Sequence, residues 1–179
     1  MTAPAAETLW VLRAQSGDRE SVEYLLLLMR PALARFVRGV VGPTDAEDVV
    51  QDVLVLIYRN LAWLRDPDLF RPWAFRVASR AAFRHLKKAR RAPVHVAEDL
   101  LQTVQVDDTR PSDDALAVLA SVDTVSPASR AVLILHFQDE LTLAEVAAVL
   151  EIPIGTVRSR LAYGLTVLRK RLSDTEKGR

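Results

Sequence analysis

Apolar residues in this chain recur at intervals of three and four and hardly ever alternate, so its hydrophobic surface can be gathered only on helices. Val49, Val50, Val53, Leu54, Ile57 and Leu61 make one such stripe, and Val157, Leu161, Leu165, Leu168 and Leu172 another. Glycine, which would interrupt such stripes, occurs only six times in 179 residues. The expected fold is all-α: two small helical units, a four-helix unit and a helix-turn-helix unit, joined by an acidic linker.

The punctuation supports that division. Gly17-Asp18, Gly39 to Thr44 and Asp66-Pro67-Asp68 separate four helical segments within residues 6–91. From Ala92 to Asp114 periodicity fades, and six acids (Glu98, Asp99, Asp107, Asp108, Asp113 and Asp114) face one Arg110. Residues 92–113 are expected to be the linker and 114–173 the second unit, with Ser173 to Arg179 frayed. Ser126-Pro127 opens one of its helices, and Thr142 with Glu145 makes a capping box at the next. Thr44 and Glu47 are expected to make another, before the stripe that begins at Val49.

Several function classes drop out on composition. The chain has no cysteine, so it has no disulfide, thiolate metal site or cysteine nucleophile. His85, His95 and His136 lack ligand spacing, and no metal, cofactor or catalytic residue is expected. The first residues do not read as a signal peptide. The strongest apolar run, Tyr24 to Met29, is far shorter than the roughly 20 residues that cross a bilayer. A cytoplasmic chain without direct membrane insertion is expected.

Three surfaces carry chemistry. The helix over Asp45–Leu61 turns Asp45, Asp48, Gln51, Asp52 and Arg59 away from its apolar stripe, with Val55 among them. That is either a solvated acidic face or a docking surface for a basic partner. The segment Phe70–Arg91 has eight basic residues (Arg71, Arg76, Arg80, Arg84, Lys87, Lys88, Arg90 and Arg91) and no acid. On a helix, Arg76, Arg80, Arg84, Lys87 and Arg91 fall within about 80° of one another. Such a row repels itself unless a polyanion neutralises it. Nucleic acid is the natural partner, with Phe83 beside the row to stack on a base; the alternative is a solubilising face. Phe75, Ala78, Ala82 and Leu86 form the buried side, and Trp73 and Phe75 read as core.

The third surface is a helix-turn-helix over Thr142–Leu172, turning at Glu151-Ile152 and restarting at Pro153. Its second helix has five basic residues and no acid from Ile152 to Leu172. Arg158, Ser159, Ala162 and Tyr163 are expected to point outward toward base edges. Gly155 and Thr156 lie at the helix N-terminus, where backbone donors favour a phosphate. The alternative is an ordinary amphipathic hairpin.

The strings DAEDVVQDVLVLIYRNL, FRPWAFRVASRAAFRHLKKARR and LTLAEVAAVLEIPIGTVRSRL, in this order, resemble regions two and four of sigma-70-family factors. The short length resembles the extracytoplasmic-function group. The resemblance implies a non-enzymatic subunit that carries RNA polymerase core enzyme to promoter DNA and helps open it. It implies that Asp48, Gln51 and Asp52, with Asp45 at the edge and Val55 among them, grip the polymerase. It implies that the loop Asp66–Arg71 and the following helix read the minus-ten element, capturing a flipped base. Arg158, Ser159, Ala162 and Tyr163 would read the minus-thirty-five element, and Arg130, Thr156 and Arg160 would hold phosphates. An anti-sigma factor, often membrane-anchored, is the further partner implied. Arg80 and Arg84 depart from the Asn and Asp frequent in the family. Ala162 and Tyr163 depart from a bulky residue followed by arginine, and Glu151 stands where a turn glycine is common.

Two rivals are a stand-alone helix-turn-helix regulator and an enzyme acting on nucleic acid. The first leaves the acidic helix and the Phe70–Arg91 row unexplained. The second lacks a metal-binding loop around Asp45, Asp48 and Asp52.

Overall fold

A left-handed glycine and an acidic cap start the fold's first long helix. Gly17, at φ 95°, ends α1 (Ala3–Gln15), and Asp18 then caps α2 (Arg19–Val41), accepting hydrogen bonds from Glu20 N at 3.2 Å and Ser21 Oγ at 2.5 Å. This computed structural model describes residues 3–89 and 125–177, with side chains for 7–89 and 125–171. The acidic stretch 92–113, Arg90, Arg91 and the side chain of Leu172 lie outside the described residues.

Helix α2 runs through Gly39 and stops at Gly42, whose amide donates to Arg38 O at 3.0 Å. The expected break over Gly39–Thr44 is therefore confined to Gly42 onward. Helix α3 (Ala46–Asn60) follows, and the expected Thr44–Glu47 capping box does not form. Asp45, not Thr44, takes the capping position, which shifts the required spacing by one residue. Its carboxylate turns instead to His85 Nε2 at 3.1 Å, and Glu47 accepts from Arg30 Nη2 at 2.7 Å. Two short 3₁₀ turns, Leu61–Trp63 and Pro67–Leu69, lead to α4 (Phe70–Ala89).

The second half begins where Ser126 Oγ accepts from Ser129 N, 3.2 Å away, and Pro127 occupies the first turn of α5 (Pro127–Leu133). A π-helical turn, Ile134–Gln138, continues it. Thr142 and Glu145 make the expected capping box at α6 (Leu143–Leu150). Helix α7 (Ile154–Lys177) runs well past Leu172, so the residues to Lys177 are helical where fraying was expected.

All the elements among the described residues are helical. Leu25, Met29, Leu33, Phe36, Val53, Ile57, Phe70 and Phe75 fill the first half, with Phe36 and Phe75 packed edge-on at 5.9 Å. Val132, Leu133, Leu135, Val146, Val149, Val157, Leu161 and Leu165 fill the second. One continuous cluster of buried side chains includes both halves. At the join a Cβ on Gly39 would fall 2.1 Å from Ile134 Cδ1, so a residue without a side chain lets α2 come this close to the π-helical turn.

Candidate nucleic-acid interface

Helix α3 sorts its residues as its periodicity demands. Val49, Val50, Val53 and Ile57 are buried, while Asp48, Gln51, Asp52 and Val55 are exposed together, with Tyr58 beyond them. Asp48 and Asp52 make no ion pair among the described residues. Asp45 lies at the edge, half-buried and paired with His85. Two carboxylates and an apolar side chain thus face solvent on a rigid helix.

Helix α4 buries Ala74, Phe75, Ala78 and Ala82 and turns Arg80, Arg84, Lys87 and Lys88 outward. Arg84, Lys87 and Lys88 have no ion pair among the described residues. Arg76 is half-buried, and its Nε is enclosed without a hydrogen-bond partner. Phe83 and Trp73 are half-buried against the core. Arg71 leans on Glu7 at 3.5 Å. Burial pushes the Glu7 carboxyl up from its ordinary value, more than Arg71 pulls it down. Of the expected basic row, Arg91 lies outside the described residues.

Helix α1 braces the loop before α4. Gln15 Nε2 donates to Leu61 O at 3.1 Å and Leu64 O at 2.7 Å, and Thr8 Oγ1 donates to Asp68 Oδ1 at 2.5 Å. Asp66 accepts from the Asp68 amide at 3.1 Å, closing the second 3₁₀ turn. Between these anchors Trp63 stands out, 81% exposed, with Leu69 also exposed nearby in the chain. No apolar stripe or charged row in the sequence marks Trp63. Its one signal was position: it comes just after Leu61, the last residue of the α3 stripe, where no stripe requires burial.

In the helix-turn-helix, Arg158 and Tyr163 are exposed on the outer side of α7, with Ile154 at its start. Arg160 and Thr156 are half-buried, and Ser159, also half-buried, returns its hydroxyl to Gly155 O at 3.0 Å. Two expected contacts are misplaced. Ala162, at 5% exposure, is buried beside Leu161 and does not project outward with Arg158 and Tyr163. Arg130, at 8%, is enclosed in the short helix α5 and offers little surface to a phosphate.

The described residues thus present an acidic face on α3, a basic face on α4 and a helix-turn-helix. Residues 25–92 match the family model for Sigma-70 region 2, and residues 122–170 match that for Sigma-70, region 4. The chain is an extracytoplasmic-function sigma factor of the sigma-70 family. It resembles the ECF RNA polymerase sigma-E factor of Escherichia coli (strain K12), at 26% identity over 90% of this chain and 91% of the relative. It is likewise 26% identical to the ECF RNA polymerase sigma factor SigW of Bacillus subtilis (strain 168), over 92% and 95% of the two chains. Among solved structures, CnrH in complex with the cytosolic domain of CnrY superposes with a TM-score of 0.63 at 26% identity, covering 94% of this chain and 98% of that one. A sigma factor is a non-enzymatic subunit, and its partners are RNA polymerase and promoter DNA. No helix among the described residues is long and apolar enough to cross a membrane.

Proposed function

We propose that this sigma factor docks on core polymerase through α3 and reads its promoters with α4 and α7. Asp48, Gln51 and Asp52, with Asp45 at their edge and Val55 among them, grip a basic helix of the polymerase. Residues 6–91 act as region two, 92–113 as the linker and 114–173 as region four. Charge separation carries this reading: unpaired carboxylates stand on α3, while unpaired cations stand on α4.

Arg71, Arg76, Arg80, Arg84, Lys87, Lys88 and Arg91 hold the minus-ten strand by its phosphates. Phe83 lies beside them, and the loop from Leu61 to Arg71 captures an unpaired base. Trp63 suits that task because its ring is open to a base face while Gln15 fixes the backbone on both sides of it. Binding to the exposed strand offsets the few kcal/mol lost when a base leaves the duplex. On the minus-thirty-five side, Arg158, Ser159 and Tyr163 are the base readers, and Thr156 and Arg160 hold phosphates.

A second partner is an anti-sigma factor. CnrH is solved with the cytosolic domain of CnrY, and a protein of that kind would hold this cytoplasmic chain inactive, at the membrane if anchored there.

Run-off transcription from fragmented genomic DNA tests the promoter-reading assignment. Core polymerase with this chain should give discrete transcripts that weaken when Arg158 and Tyr163 become alanine. Transcripts of unchanged strength from that variant would remove α7 from promoter recognition.

A further inference from the structure

One cation on the basic face of α4, Arg80, is already held by another part of the same chain. Arg80 gives two hydrogen bonds to the Glu151 carboxylate, Nε to Oε2 at 2.9 Å and Nη2 to Oε1 at 2.5 Å. Glu151 lies in the turn between α6 and α7, in a left-handed backbone at φ 56° that favours glycine. A glutamate there gives up backbone comfort and gains a bidentate partner 71 residues away in sequence. The Arg80 hydrogen bonds hold Glu151 below the usual carboxylate range, and the charge of Arg76 adds to this.

Two further contacts close the same join. Arg35 on α2 pairs with Asp139, just after the π-helical turn, and Gly39 admits Ile134 against α2. Each contact links the half bearing α3 and α4 to the half bearing the helix-turn-helix. Exposed cations on one side meet carboxylates on the other at two separate places.

We propose that the free sigma factor closes on itself through Arg80–Glu151 and Arg35–Asp139, so that a DNA phosphate and Glu151 compete for the same guanidinium. The occupant of α4 at Arg80 is this chain's own α6–α7 turn. Closure is independent of the promoter-reading assignment; only its consequence, that α4 engages DNA after the halves part, rests on that reading. An exposed ion pair such as Arg80–Glu151 shifts such an equilibrium by up to about fivefold, so this pair tunes closure, and the contact of the buried Asp139 with Arg35 and the apolar contact at Gly39 supply the rest.

The absence of cysteine makes the test direct. Spin labels on the full chain at Glu23→Cys and Lys170→Cys, both exposed positions, report the separation of the halves by pulsed electron–electron resonance. One compact distance population is expected. Glu151→Gln should enlarge a longer-distance population by about two- to fivefold. Glu20→Gln, which changes net charge equally, should not. The reversed pair Arg80→Glu with Glu151→Arg should restore the compact population. Identical distributions for Glu151→Gln and Glu20→Gln would overturn the proposal. So would a compact distance that disappears when labelled chain is diluted with unlabelled chain, because the contact would then join two copies. Adding a mixed-sequence duplex should enlarge the longer population. Duplex bound with the compact population undiminished would overturn the competition for Arg80. A chain that fails to read promoters yet keeps the Glu151 dependence would refute the promoter assignment alone.

Discussion

The side chain of Gln15 donates to the carbonyl of Leu64 at 2.7 Å and so ties α1 to the turn that carries Trp63. A second donation, to Leu61 O, fixes the other end of the same turn. Gln15→Leu keeps similar bulk but leaves both carbonyls without this partner. It should cost about 1–2 kcal/mol in urea unfolding, on the scale of two modest hydrogen bonds. It should also slow promoter opening more than it weakens binding to duplex DNA. Permanganate reactivity of the opened strand, followed over time, separates the two effects.

Trp63 itself packs little. Trp63→Ala should therefore change unfolding stability by no more than about 0.5 kcal/mol, as exposed substitutions do. Loss of a stacked base would cost about 1–3 kcal/mol of open complex, roughly five- to 150-fold in its equilibrium. Run-off yield from a linear template reads that loss, and Trp63→Phe should recover part of it.

Asp139 gives the join a pH dependence of defined sign. Burial raises its carboxyl above the ordinary value, outweighing the opposing pull of Arg35 and, at longer range, Arg71. One of its oxygens, Oδ2, is enclosed without a hydrogen-bond partner. A raised carboxylate binds a proton in the folded chain that the unfolded chain has already released. Stability contributed by this group is thus present at low pH and lost as pH rises through its folded value. Glu7, also raised by burial, acts in the same sense. Asp18 and Glu151 are lowered, and their contribution is lost as pH falls below the ordinary carboxylate range. Thermal unfolding should therefore show a fall in melting temperature as pH rises just above that range. Asp139→Asn should flatten this fall, since Asn does not titrate while its carbonyl can still accept from Arg35.

Local signals were legible in the sequence, and long-range ones were not. The stripes on α3, α4 and α7 and the caps at Ser126 and Thr142 follow from spacing alone, because helix period and capping act within a few residues. Asp45 shows the limit even locally. Thr44 and Asp45 are both acceptable caps; Asp45 takes the position yet makes no side-chain cap, its carboxylate being turned to His85, forty residues on. The spacing of Ala162 from Arg158 and Tyr163 predicts an outward position, but a methyl group carries no charge to hold it at the surface, and it is buried. The pairs Arg80–Glu151 and Arg35–Asp139 join residues 71 and 104 positions apart, which no periodicity encodes. Glu151 left one trace, an acid at a position where a turn glycine is common.

The most direct test of the central claim is the affinity of labelled chain for core polymerase, measured with the parent sequence and with Asp48→Ala and Asp52→Ala together. Both side chains are exposed and outside the core, so the variant should fold like the parent. Docking through α3 gives tight association for the parent and at least about tenfold weaker association for the variant. Equal affinity for the two chains would contradict docking through α3.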